Sequence, residues 1–436
     1  MALIPSVSIA RSLMGAHMFS RTPVPFFLAA AILLPGSLTA QENPLTSWAA
    51  PSLDYAIRVV EAEPYLRPGT NMSGEGDFRP VHRELGTLPA QRLRLPVPGS
   101  TWRLDGRVVR TEDGTLYAGF GTYLYRSDDD GRSWTGRRLE GLPDTGGEPV
   151  AAQAFGAAGP YILVCHAATG LPPVMSELVE NPAVTAGKHE LRPLVVSRSR
   201  DGGEHWESSH PLSPPPGYRA LTGDGNSIIA LGDGTLLAAL DAYNPGLEGE
   251  HSDRFAEVFL RSRDQGLTWG EPTLIQGTAA ETGLVSLGGL RVLAAIRGVP
   301  NSRLGGKTIQ LANSNDGGRT WRHFRPLTRT FGQAHGTLAS LPGGGIVAVY
   351  ENRYPYHNGG DVRARISWNR GRSWEPEVYI LMKGHGYGSA VAGSDGTIIT
   401  VAGDGALGRN GRPGSEGHTL QAVRWKPWRK SGRIVH

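Results

Sequence analysis

Six residues of this chain have types and spacings suited to gripping a carboxylate and activating a nucleophile beside it. Glu281 opens the segment ETGLVS, and Arg297 closes the apolar run GLRVLAAIR that follows it. Arg353 ends a comparable run, GIVAVYENR, eight residues after Gly345 as Arg297 stands eight after Gly289. Arg103 sits in WRLD ahead of the first Asp-Gly turn, Arg363 opens the run VRARIS, and Tyr387 lies in HGYGS. Several guanidiniums around one opening can hold a carboxylate by paired, charge-assisted hydrogen bonds. A Glu beside a Tyr can take the phenol proton and make the oxygen nucleophilic. His166, His335, His357 and His385 fall near the same places, but no ligand spacing unites them, so turn or wall roles are expected rather than metal binding.

What must position these residues is an internal repeat. The pattern Ser-x-Asp-x-Gly-x-x-Trp occurs as SDDDGRSW from Ser127, SRDGGEHW from Ser199, SRDQGLTW from Ser262 and SNDGGRTW from Ser314, and a fifth copy, SWNRGRSW from Ser367, has Asn369 at the Asp place. The starts lie 72, 63, 52 and 53 residues apart, a period suited to the four-stranded blades of a propeller. In each turn the Ser and Asp side chains can bond backbone amides, Gly supplies a positive φ and Trp packs back between strands. Strands A to D of the unit are clearest over Ser227 to Trp269, with Asp-Gly turns at 113, 233 and 395 joining A to B. The expectation is an all-β, six-bladed propeller over 91–428. The last blade lacks its fourth strand, and Gln91 to Pro98 supplies it, closing the ring. The A-B turns and boxed turns then share one face, and the candidate residues gather on the other.

Composition agrees with a turn-rich β fold. Sixty Gly and 32 Pro punctuate the chain, while 39% hydrophobic residues leave enough for a core. The 44 basic and 40 acidic residues give a net charge of +4 without a dense basic block, which argues against a nucleic-acid partner. Cys165 is the single cysteine, so no internal disulfide can form. Arg11 and Arg21, the apolar run Phe26 to Leu34 and the small residues before Gln41 read as a secretory signal over 1–40. The run is too short for an ordinary span of about 20 residues, so the expectation is a secreted or periplasmic protein with no stable membrane span once the signal is cleaved. Residues 41–90 are expected to form an irregular extension, partly ordered against the propeller, and 429–436 a basic tail. Nothing in the chain sets an oligomeric state.

With these boxes and site residues in place, the chain resembles the sialidase (neuraminidase) superfamily of six-bladed, Asp-box propellers over roughly 91–428. The resemblance implies an exo-sialidase-like glycoside hydrolase without cofactor or metal, acting on sialylated or other acidic glycans with retention. Arg103, Arg297 and either Arg353 or Arg363 would clamp the sugar carboxylate, Arg353 being favoured, and Tyr387 would attack with Glu281 as its base. One feature departs from the family: the first B-C connection, Gly119 to Tyr123, has no Asp to serve as acid/base. Glu75, Asp77, Asp241, Glu248 and Asp253 are the alternatives, with nothing in the sequence to select among them. A propeller that binds acidic glycans without turnover, or one that binds protein, is the alternative function.

Overall fold

The computed structural model describes residues 52–61, 82–97, 106–148, 150–179, 187–223, 226–247, 254–276, 281–298, 308–328, 332–352, 361–383, 386–404 and 419–428. These residues are all-β, with helix almost absent. Antiparallel four-strand meanders succeed one another along the chain. The first comprises Arg107–Arg110, Leu116–Phe120, Tyr123–Ser127 and Thr135–Arg138. The next two share one sheet, because the inner strands Ala152–Ala158 and Asn226–Ala230 pair in parallel. A further sheet holds Gly283–Ser286, Val292–Arg297, Ile309–Ser314 and Arg322–Pro326. The last large sheet begins with Gln333–Leu341, Gly345–Asn352, Asp361–Ser367 and Glu377–Lys383, and ends with Thr419–Trp425, Ile398–Asp404 and Gly388–Ala392.

Between those two halves lies a hairpin of Ser52–Glu61 and His82–Pro96. His82–Pro96 pairs with Thr419–Trp425 from Ala90 to Pro96, so an N-terminal strand does complete the C-terminal meander. The expected irregular extension over 41–90 is corrected in part: Ser52–Glu61 is a regular strand that pairs with Glu377–Lys383. That partner lies more than three hundred residues away, and Arg58 is held there by Glu377 at 2.6 Å. A local pattern could not announce such a strand. The expected signal segment 1–40, the tail 429–436, Glu75 and Asp77 all lie outside the described residues.

Apolar side chains fill the spaces between consecutive sheets. Leu237, Ala239 and Phe259 meet Leu284, Ala294 and Ile296, and Leu293 and Leu311 meet Ile346 and Tyr350. A further cluster joins Leu116, Phe120 and Tyr125 near the start of the repeats to Ile399, Val401 and Leu420 at their end, with Leu93 and Leu95 between. Strands such as Leu236–Tyr243 are buried along their whole length because both faces are covered.

The five boxes share one hydrogen-bond pattern. Each Ser Oγ donates to the Asp Oδ1 at 2.7–2.9 Å, or to Asn369 Oδ1 at 3.0 Å, and accepts from the box Gly amide at 2.7–2.9 Å. The fifth box therefore keeps its fold without the Asp. The residue before each box Gly also has positive φ, as at Asp130, Gln265 and Arg370. At Gly371, φ is 77° and an added Cβ would lie 2.6 Å from Leu293 Cδ2 in the preceding sheet. Gly371→Ala is therefore expected to cost about 1–3 kcal/mol, read as a lower midpoint in urea unfolding.

Candidate functional site

Three inner strands bring the site together. Gly283, Thr337 and Ser389 hold matching places opposite Ala295, Val349 and Val401. Glu281, His335 and Tyr387 each stand two residues earlier in the chain. Close approach of the strands depends on glycine, since Gly283 lies directly against the backbone of Gly336. Glu281 and His335 both adopt positive φ, 65° and 54°, a conformation costing of order 1–3 kcal/mol each for a non-glycine residue.

Contacts among the side chains hold these conformations in place. The Glu281 carboxylate spans two cations or donors, with Oε1 on Arg297 Nη1 and Oε2 on His335 Nδ1. His335 is fully buried, and its Nε2 lies 3.1 Å from Glu351 Oε1, itself 1% exposed. The Tyr387 ring stacks on the His335 ring with centroids 3.1 Å apart and planes at 22°. The imidazole thus joins the expected carboxylate to the expected phenol. Burial pulls the His335 pKa down against the opposing pull of Glu281 and Glu351.

Behind Glu281 lies a second acidic pair. Asp241 and Glu257 are direct cross-strand partners, 2% and 0% exposed. Burial pushes Glu257 well above the usual carboxylate range, the charge of Asp241 adds to this, the Thr282 hydroxyl opposes it, and Glu281 adds a smaller push. The folded chain therefore binds the Glu257 proton more tightly than the unfolded chain does. Its stabilising contribution is fully present below the unfolded pKa, about 4.3, and is lost as pH rises toward the folded value. Glu257→Gln removes that loss. Relative to the unsubstituted protein, its Tm should gain at least about 2 °C more at pH 8 than at pH 5, the shift that roughly 1 kcal/mol makes in a large domain.

The arginines expected to form a clamp are differently placed. Arg297 is on the site but paired with Glu281. Arg363 is 1% exposed, bound to Asp361 at 2.5 Å and to Glu61 at 2.6 Å, so its charge is met by carboxylates of the chain itself. Arg365 and Gln333 hold the same Glu61 carboxylate at 3.2 and 2.8 Å. Arg103 and Arg353 lie outside the described residues, as do Glu248, Asp253, His357 and His385. The register nevertheless corrects the alignment that favoured Arg353. Val292 faces the box serine Ser314, and Ile346 faces Ser367. Five residues on from these stand Arg297 and Glu351, so Glu351, not Arg353, is the equivalent of Arg297. Leu236 faces Ser262 in the same way, which makes Asp241 the third member of that set.

His166 takes a wall role, with Nε2 2.7 Å from Ser197 Oγ, and burial lowers its pKa to about 4. Cys165 is a buried thiol in the apolar cluster of the second and third meanders.

The profile of the family described as a BNR repeat-like domain matches residues 178–400, just over half of the chain. This chain belongs to the BNR repeat-like family. Solved structures, sialidases among them, share the fold of the chain. A Hadza microbial sialidase, Hz136, superposes with a TM-score of 0.54 at 16% identity, covering 78% of this chain and 72% of its own. A leech intramolecular trans-sialidase gives 0.52 at 13% identity, covering 75% and 68%. A Dyadobacter fermentans protein of unknown function gives 0.51 at 17% identity, covering 77% and 99%. No curated protein matches the sequence. At these identities the likeness concerns the fold, and the BNR repeat protein's chemistry rests on its own residues. Among those described, no helix is long and apolar enough to cross a membrane.

Proposed function

We propose that the chain is an exo-sialidase-like glycoside hydrolase that removes terminal sialic acid, or a similar acidic sugar, from glycans. The reading takes the meanders as six blades, closed by His82–Pro96 and by the cluster joining first and last sheets. The observation that carries it is the meeting of Glu281, His335 and Tyr387, at matching inner-strand positions of three meanders, with Arg297 on Glu281. Tyr387 gives its proton to Glu281 and attacks the anomeric carbon as the glycosidic bond breaks, the aglycone oxygen taking a proton from solvent; water then releases the sugar from the phenolic oxygen with retention, outside the usual two-carboxylate scheme. Arg297 with Arg103 would meet the sugar carboxylate, while Arg363 is left out because Glu61 and Asp361 engage it, and Arg353 because Glu351 stands where Arg297 does.

A second reading, binding of acidic glycans without turnover, is favoured by the first meander. There Phe120 and Tyr123 are joined only by a tight turn through Gly121, φ 55°, which brings no carboxylate. Release of fluorophore from an aryl sialoside by the purified chain tests the proposal. Turnover supports hydrolysis, saturable binding of sialic acid without turnover supports the second reading, and neither outcome removes both. Export is part of the same proposal and requires a secreted chain whose first residue, by N-terminal sequencing, is close to Gln41.

A further inference from the structure

We propose that Glu281, His335 and Glu351 form a single proton-sharing unit in which His335 is the positioning residue for both Glu281 and Tyr387. This rests on the site reading above and adds to it a residue, His335, with a defined tautomer.

The inference follows from counting protons at buried atoms. Nδ1 of His335 meets a Glu281 oxygen and Nε2 meets a Glu351 oxygen at 3.1 Å. A carboxylate accepts only, so each contact needs a proton. A neutral imidazole supplies one of the two. The other sits either on the ring, making an imidazolium, or on a carboxyl group.

The surroundings choose between these. Arg297 neutralises Glu281 through Oε1 and so holds that carboxylate ionised. The same Arg297 Nη1 stands 3.5 Å from His335 Nε2, and a cation beside that nitrogen disfavours a second positive charge on the ring. His335 is 0% exposed and Glu351 1%, where an added pair of charges is costly. The arrangement is then Glu351 O–H donating to Nε2, and Nδ1–H donating to ionised Glu281. Glu257, the remaining acidic group against Glu281, has a Thr282 hydroxyl beside it and Asp241 opposite. Among the described residues, Tyr387 covers the face of the imidazole.

The consequence is mechanical as well as electrostatic. Fixing both ring nitrogens fixes the imidazole plane, and the Tyr387 ring lies on that plane. His335 thereby sets the phenol's orientation while it aims Glu281, although it touches no substrate. The strained backbone at Glu281 and His335, φ 65° and 54°, is what turns the two side chains toward each other.

Long-range 1H–15N NMR of the labelled full chain tests the tautomer, and it needs no turnover. The His335 resonances are identified by their loss in His335→Gln and their displacement in Glu351→Gln. A neutral ring protonated on Nδ1 is expected, unchanged between about pH 5 and pH 9, where an ordinary histidine titrates. A doubly protonated ring, an Nε2–H tautomer or titration in that range overturns the proposal. Kinetics with the aryl sialoside test positioning. Glu351→Ala should lower kcat by about 10²-fold with little change in KM, and Glu351→Gln, whose amide can donate as the protonated carboxyl does, should recover most of that loss. A Gln variant as impaired as the Ala variant contradicts the unit. If the wild-type protein shows no turnover, the hydrolase reading fails while the NMR outcome still decides this one.

Discussion

Replacing Tyr387 with Phe is expected to lower kcat/KM toward an aryl sialoside by on the order of 10³-fold or more and to leave Tm within about 1 °C. The hydroxyl is the only group removed. Phe can keep the stacking on His335, and Tyr387 is only half-buried, so the fold loses little. The combination matters more than either number: an equal fall in activity with a large fall in Tm would point to a wall residue. A turnover assay beside a thermal melt checks both.

Glu281→Ala carries the second large effect, on stability as well as activity. Glu281 is 5% exposed and is the shared partner of Arg297 and His335. Removing one member of a buried, hydrogen-bonded charge cluster costs about 3–5 kcal/mol, because the remaining charge stays desolvated. Ala gains nothing at φ 65°, since it too has a Cβ. Denaturant unfolding should show the loss, and turnover should vanish with it. Glu281→Gln, which keeps the shape but not the charge, should lose turnover while giving back part of the stability. If Glu281→Ala unfolds at the wild-type midpoint, the buried cluster has no energetic importance and the site account loses its base.

Much of the fold was legible because its signals are local. Each box names its own turn, and the five share one hydrogen-bond pattern, including the one with Asn369. Glu281 and Arg297 were legible too, since one hairpin carries both. The rest depended on register across the sheets. Counting from Gly345 led to Arg353, but the turn there runs through Pro342–Gly344 and differs from the Gly288–Gly289 turn, so only cross-strand pairing could make Glu351 the match of Arg297. His335 carried a usable signal, because HGT holds the place in one inner strand that YGS holds in another. Taken singly, it looked like any buried histidine. Arg363 looked like a clamp residue because its partner Glu61 arrives on a strand from the far end of the chain.

Glu257 shows the same limit from the other side. Nothing in EVFLRS marks its Glu as a proton-holding group. That property arises only when Asp241 is set opposite it and water is removed from both.

The central claim is that Tyr387 carries the sugar during turnover. Its most direct measurement is mass spectrometry of the acid-quenched protein after brief exposure to an activated acidic-sugar substrate whose fluorinated ring slows the second step. The account predicts a mass increase equal to one glycosyl group on the peptide containing Tyr387, absent in Tyr387→Phe. An unmodified Tyr387 peptide, or the same adduct on another residue, contradicts it.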